Sequence, residues 1–249
     1  MFKYPRMRLL MALILGGGFI MALACSTPQT QTKLIPREII FGNPVKTAPH
    51  ISPDGARMAY LAPSNGVLNV WVKTIGADDD RPVTSDTGRG IQIYFWSQNN
   101  KQIMYLQDVG GNENWRLYSI NLETGETRDY TPFENVQVQV VEHNKDFPNE
   151  MIIALNKDNP AAHDAYHLDL TSGELKKVAS NPGHYLGWIC DTNLKIRSAL
   201  AATQEGGYEL LVRKDENSEW KNMATWNSED ALVSGPIGFT KEGNFMYMT

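Results

Sequence analysis

HISPDGARMAYLAPSNGVLNVWVKTI, residues 50–75, is the stretch on which the fold turns. Ser52-Pro53-Asp54-Gly55 reads as a tight turn, because proline presets φ and glycine accepts the positive φ that closes it. Ala56 to Leu61 is apolar and aromatic enough for a half-buried strand. Ser64-Asn65-Gly66 turns the chain again, and Asn69 to Ile75 alternates Val70 and Val72 with larger neighbours. Three short antiparallel strands joined by turns make a meander. A single meander is marginal in water, so the fold depends on whether it recurs.

It recurs along the whole chain. The second strand of each unit carries Tyr60, Tyr105, Ala154, Leu200 and Tyr247, at steps of 45, 49, 46 and 47 residues. The third strand carries Trp71, Tyr118, Tyr166 and Leu210, at steps of 47, 48 and 44. Two connecting turns nearly repeat in letters, Leu122 to Glu126 (LETGE) and Leu170 to Glu174 (LTSGE). A period of about 40–50 residues with four strands per unit predicts an all-β chain, a β-propeller of four-stranded antiparallel blades. A large β-sandwich is the alternative, but nothing in a sandwich repeats at fourfold strand spacing. The blades fall near 45–86, 90–133, 136–179, 185–226 and 233–249, about four and a half in all. The fifth stops in its second strand, Phe245 to Met248, after the hairpin turn Lys241 to Asn244. That stop reads as an incomplete propeller from a longer protein, because an unclosed one leaves strand edges unpaired.

The first 24 residues have a different character. Lys3, Arg6 and Arg8 form a positive region, and Leu9 to Ala24 is an uncharged run of 16 residues. That is short for a spanning helix and suits a signal peptide. Ala22-Leu23-Ala24-Cys25 resembles the lipobox of bacterial lipoproteins, with Leu one position later than that family prefers. The resemblance implies a lipidated Cys25 as the mature N-terminus, with residues 25–36 as a lipid-anchored tether and the propeller over 37–249. A plain cleaved signal and an uncleaved anchor are the alternatives. Ser26, where an inner-membrane lipoprotein would carry Asp, implies a cell-envelope protein on the outer membrane facing the periplasm. Just past the tether, Glu38 to Phe41 reads as a short apolar strand.

Composition narrows the chemistry. The chain has 249 residues and a net charge of −5, which argues against a nucleic-acid partner. With Cys25 lipidated, Cys190 is alone, no disulfide framework exists, and Cys190 reads as a small core residue. There is no Gly-x-Ser-x-Gly, no Cys-x-x-Cys, no His-Glu-x-x-His and no phosphate-cradling glycine loop. No catalytic residue, cofactor or metal site is therefore expected in the chain. His163 and His167 are four apart but on a strand, about 13 Å from each other along it. Asp78-Asp79-Asp80 reads as a solvated turn rather than a calcium loop. The polar loop Asp108 to Trp115 holds the candidate binding residues Glu113 and Asn114, polar groups beside an aromatic on a rigid scaffold. A turn with a cap is the other reading of the same residues.

Taken in order, Ile35 to Pro44 (IPREIIFGNP), Ile51 to Gly55 (ISPDG), Met58 to Pro63 (MAYLAP) and Asn69 to Val72 (NVWV) resemble the start of the propeller in the prolyl oligopeptidase family. The branch they resemble is that of the bacterial acylaminoacyl-peptidase and dipeptidyl-aminopeptidase-like proteins. Tyr94-Phe95-Trp96, Tyr105 to Asp108, Asn112 to Trp115 and Leu210 to Arg213 continue the likeness over residues 35–249. The resemblance implies a seven- or eight-bladed propeller over a C-terminal α/β-hydrolase domain carrying Ser, Asp and His. That domain is not in this sequence, so no catalytic residue carries over. The chain then reads as the substrate-gating propeller of a peptide-cleaving serine peptidase, with Glu113 and Asn114 facing the peptide. The alternative is a non-catalytic propeller lipoprotein that binds a protein or peptide partner in the cell envelope.

Overall fold

The computed structural model describes residues 34–42 and 44–249, which fall into two units divided after residue 43. Cys25, the apolar run before it and most of the tether lie outside the described residues. In the smaller unit the structure corrects the expected strand: Arg37–Phe41 is a short helix, α1. Pro36 precedes it with φ already at −55°, and the Gly42 N–H closes the turn on the Glu38 carbonyl at 3.0 Å. An apolar Ile-Ile-Phe triplet suits either element, and the proline decides. Among the described residues, no helix is long and apolar enough to cross a membrane.

Residues 44–249 form four four-stranded antiparallel meanders and a hairpin. The first blade is β1 (Thr47–Ile51), β2 (Arg57–Ser64), β3 (Val67–Thr74) and β4 (Arg81–Pro82). The second is β5 (Ile93–Trp96), β6 (Gln102–Gln107), β7 (Arg116–Asn121) and β8 (Thr127–Asp129). The third is β9 (Val138–Glu142), β10 (Glu150–Asn159), β11 (Ala162–Asp169) and β12 (Leu175–Ala179). The fourth is β13 (Tyr185–Cys190), β14 (Ile196–Ala202), β15 (Tyr208–Val212) and β16 (Lys221–Trp226). The hairpin is β17 (Pro236–Phe239) and β18 (Met246–Met248).

The sequence landmarks fall into register. Tyr60 pairs with Trp71, Tyr105 with Tyr118 and Leu200 with Leu210. In the third blade Ala154 pairs with Ala165, so Tyr166 sits one step out, opposite Ile153. The Ser52–Gly55 turn closes through Gly55 N–H to the Ser52 carbonyl at 2.8 Å, with Gly55 at φ 73°. The Ser52 hydroxyl donates to Asp54 Oδ1 at 2.5 Å and accepts the Arg57 N–H at 2.9 Å. The Ser52 hydroxyl and the Ala56 N–H, both donating to Asp54 Oδ1, hold its carboxyl below its usual pKa. Ser97, Asn99 and Gln102 repeat the device in the second blade.

Strand alternation turns successive faces of each sheet to its two neighbours. Ala59, Leu61, Val70 and Val72 meet Tyr94, Trp96 and Ile103 of the second blade. The opposite face of that blade, with Met104 and Leu117, meets Met151, Ile153 and Leu155 of the third. Ile152, Ala154 and Ala165 then meet Trp188, Ile196 and Ala199 of the fourth. Each fully buried large side chain contributes roughly 1.5–3 kcal/mol, so the sheets are held mainly through these faces. Polar ties fix the angle between neighbours. Tyr94 and Trp96 donate to the Ala48 and His50 carbonyls, and Trp188 donates to the His163 carbonyl. A belt of hydrogen bonds joins the turns that follow the inner strands. It runs from the Asp54 N–H to Asn100 Oδ1 (3.0 Å) and from Asn99 to Asn149 (2.9 Å). It continues from Asn144 to the Thr192 carbonyl (3.1 Å) and from the Thr192 hydroxyl to the Lys241 carbonyl (2.7 Å).

Candidate functional site

Antiparallel meanders put the β6–β7 loop at the same end of the sheets as the connections between blades, opposite the turn belt. That loop, residues 108–115, carries the two predicted binding residues. Gly110 and Gly111 turn it with φ of 64° and 86°. A Cβ on Gly111 would meet only the tip of the half-exposed Arg89 side chain from the β4–β5 connection, which can swing aside, so it is the positive φ that calls for glycine here. Asn112 Oδ1 accepts the Asn114 N–H at 3.0 Å. Glu113 itself adopts a left-handed backbone with φ 59°.

Three residues that sequence reasoning did not assign brace this loop. Asp108, with its side chain 3% exposed, accepts the Glu113 N–H at 3.0 Å and faces Arg89 Nη1 at 3.5 Å. Gln137, on the connection into the third blade, donates to the Glu113 carbonyl at 3.0 Å. The Val138 N–H bonds the Trp115 carbonyl at 2.9 Å, stitching the loop's end to β9. The structure thus brings Glu113 and Asn114 together and ties their backbone to two blades. The Glu113 side chain is exposed, and its carboxylate meets no donor among the described residues. A free carboxylate on a braced backbone can accept hydrogen bonds from an ammonium or amide. The only sequence sign of the brace was an acid five residues before Glu113 and a Gly-Gly pair between them.

The other candidates are spent on structure. His167 Nε2 lies 2.7 Å from Glu150 Oε2 on the neighbouring strand; His163 offers its carbonyl to Trp188, while its imidazole Nε2 is buried without a hydrogen-bond partner among the described residues. Asp79 accepts from both the backbone and hydroxyl of Thr74, and Asp80 pairs with Lys46 (2.7 Å) and Lys73 (3.4 Å). Among the described residues, no three His, Cys, Asp or Glu side chains group as a metal site. Cys190 is buried in β13, and burial pushes its thiol pKa well above the usual range. Among the described residues, the histidine side chains that are hydrogen-bonded meet an amide (His143 with Gln98) or a carboxylate (His167 with Glu150).

Face-packed four-stranded blades carrying their polar loops at one end define a β-propeller. No family model matches the chain. Over 219 residues, 88% of the chain, it is 36% identical to dipeptidyl aminopeptidase BIII of Pseudoxanthomonas mexicana, of which it covers 32%. Prolyl oligopeptidase B from Galerina marginata superposes with a TM-score of 0.59 at 12% identity, over 82% of this chain and 30% of that one. The β-propeller domain of the trilobed protease from Pyrococcus furiosus superposes with a TM-score of 0.51 at 13% identity, over 77% of this chain and 59% of that one. At such identities the two structures speak for the fold alone. The chain spans about a third of the length of the curated relatives it matches. In fold it is a propeller segment, and in sequence it is similar to part of a dipeptidyl aminopeptidase.

Proposed function

We propose that residues 44–249 form the substrate-gating propeller of a serine peptidase that acts on peptides, and that the 108–115 loop faces the substrate. The observation that carries this reading is the 36% identity to a dipeptidyl aminopeptidase across 88% of the chain. The braced Glu113 supports it, because a peptide presents N–H donors and a terminal ammonium that such a carboxylate accepts. The catalytic Ser, Asp and His would come from an α/β-hydrolase domain. Lipidation of Cys25 would hold the assembly at the outer membrane, facing the periplasm.

The reading is tested at the gene and at the site. Sequencing the locus past codon 249 should find an open frame that continues and encodes Gly-x-Ser-x-Gly. A stop codon at that point, with no hydrolase encoded alongside, overturns the peptidase reading. In the assembled enzyme, Glu113→Gln should raise KM for peptides roughly 5–10-fold with little change in kcat, the sign of lost uniform binding. An unchanged KM removes Glu113 from the substrate path. Metabolic labelling with a radiolabelled fatty acid should mark the wild-type chain and not Cys25→Ala.

A further inference from the structure

A second opening lies at the end of the blades opposite the 108–115 loop. Inner strands β9, β13 and β17, with the turns that follow β9 and β13, bound a cavity of about 490 Å³. That size is typical of small-ligand sites. Its floor is apolar, with Val141, Trp188, Ile189 and Phe239, and the exposed Ile237 stands at its mouth. The polar groups at its rim differ in what they already hold. Lys145 pairs with Asp146 at 2.7 Å. Asp191 accepts from Arg197 at 3.3 Å and from the Asn193 and Lys195 N–H groups. Asn144 and Thr192 are engaged in the turn belt. Glu142 is the carboxylate of the lining with no cation partner among the described residues: its Oε1 accepts the neighbouring His143 N–H at 2.9 Å, and Oε2 meets no donor.

We infer that this cavity binds an ammonium group carried on an apolar stem, with the stem between Ile189 and Ile237 and the charge on Glu142. An apolar floor rewards burial of a hydrocarbon stem, and one unneutralised carboxylate at the rim selects a cation over a neutral or anionic head. An α-ammonium beside an apolar first side chain and a lysine side chain both have this chemistry. The site stands apart from the Glu113 loop in position and does not depend on the peptidase reading.

Calorimetric titration of the purified 249-residue chain tests it, using leucinamide, N-acetyl-leucinamide and Nα-acetyl-lysine methylamide. At least one of the two amines should bind, N-acetyl-leucinamide should bind at least about tenfold more weakly, and Glu142→Gln should cost about fivefold or more. The tighter of the two amines identifies a peptide N-terminus or a lysine side chain as the source. In a methyl-labelled sample the shifts should fall on Ile189 and Ile237. In Glu113→Gln the shifts at Ile189 and Ile237 should persist, which separates this site from the proposed substrate loop. Ile237→Lys, at a position already 66% exposed, puts a cation at the mouth and should abolish binding without disturbing the core. Equal binding of the acetylated compound, undiminished binding to Glu142→Gln and Ile237→Lys, or shifts confined to residues 108–115 would overturn the inference.

Discussion

Glu113 holds a left-handed backbone at φ 59°, which costs a non-glycine residue roughly 1–2 kcal/mol. Compensation comes from the Asp108 carboxylate on its N–H and the Gln137 amide on its carbonyl. Glu113→Gly should therefore stabilise the fold by about 0.5–1 kcal/mol in urea denaturation, against the usual sign for glycine. Asp108→Ala should cost about 0.5–1.5 kcal/mol, because the Glu113 N–H loses its acceptor. Arg89→Ala should cost less than about 1 kcal/mol, since the arginine is 53% exposed and its pair is screened. If Glu113→Gly destabilises, the loop is not strained and the argument for a functional residue there fails. A separate prediction concerns acid. Burial holds the His143 and His163 imidazoles below their usual pKa of 6.5. Between the folded and unfolded values the unfolded chain binds more protons, so this contribution is present above about pH 6.5 and is lost on acidification. The denaturation midpoint should fall between about pH 7 and 5. His143→Phe, which keeps a ring against Phe95, should flatten that slope. An unaltered slope would place the titration elsewhere.

At the scale of the element, the turns after the inner strands tie one blade to the next. Asn100 accepts the Asp54 N–H on its side chain and Arg57 Nη2 on its carbonyl, at φ 62°. Asn100→Gly keeps the backbone and loses one hydrogen bond, so it should cost at most about 1 kcal/mol. Asn100→Ala loses the bond and pays the left-handed penalty as well, about 1–3 kcal/mol in all. Equal effects would mean that backbone geometry does not matter there. These elements were legible because turn chemistry is local: Ser-Pro-Asp-Gly and Ser-Gln-Asn-Asn each carry their own hydrogen-bond partners within six residues. Strand identity was legible for the same reason, in the alternation around Val70 and Val72. What depended on distant residues was not. The one-step offset of Tyr166 follows from β10–β11 pairing rather than from the repeat, and α1 was decided by one proline beside an ambiguous apolar triplet. The Asp108 brace needs Arg89 and Gln137 from the two flanking connections, so the acid and the Gly-Gly pair before Glu113 show only part of it, and the Glu142 cavity needs strands from three blades and has no one-dimensional signature.

Across residues 44–249, stability should be graded, because blades differ in how many faces they bury. The third blade packs on both sides: Met151, Ile153 and Leu155 of β10 enter one core, and Ile152 and Ala154 enter the next, all fully buried. The β17–β18 hairpin has no such sandwiching among the described residues, and Ile237, Phe245 and Tyr247 stand exposed. Two strands alone are marginal in water, so the hairpin is held by the Thr192–Lys241 tie and its contact with β13. Local opening therefore costs far less there than in β10. Native-state hydrogen exchange should show β10 and β11 amides as the slowest, approaching the global unfolding free energy. The β17–β18 amides should exchange at least about a hundredfold faster, which corresponds to roughly 2.7 kcal/mol less protection. Ile153→Ala, which opens a cavity between the second and third blades, should cost about 2–5 kcal/mol and lower protection throughout β6 to β11. Ile237→Ala, at an exposed position, should change the global value by no more than about 0.5 kcal/mol. Equal protection in β10 and β18 would mean that the sheets open as one cooperative body. The face-to-face cores would then not be what sets the order in which blades come apart.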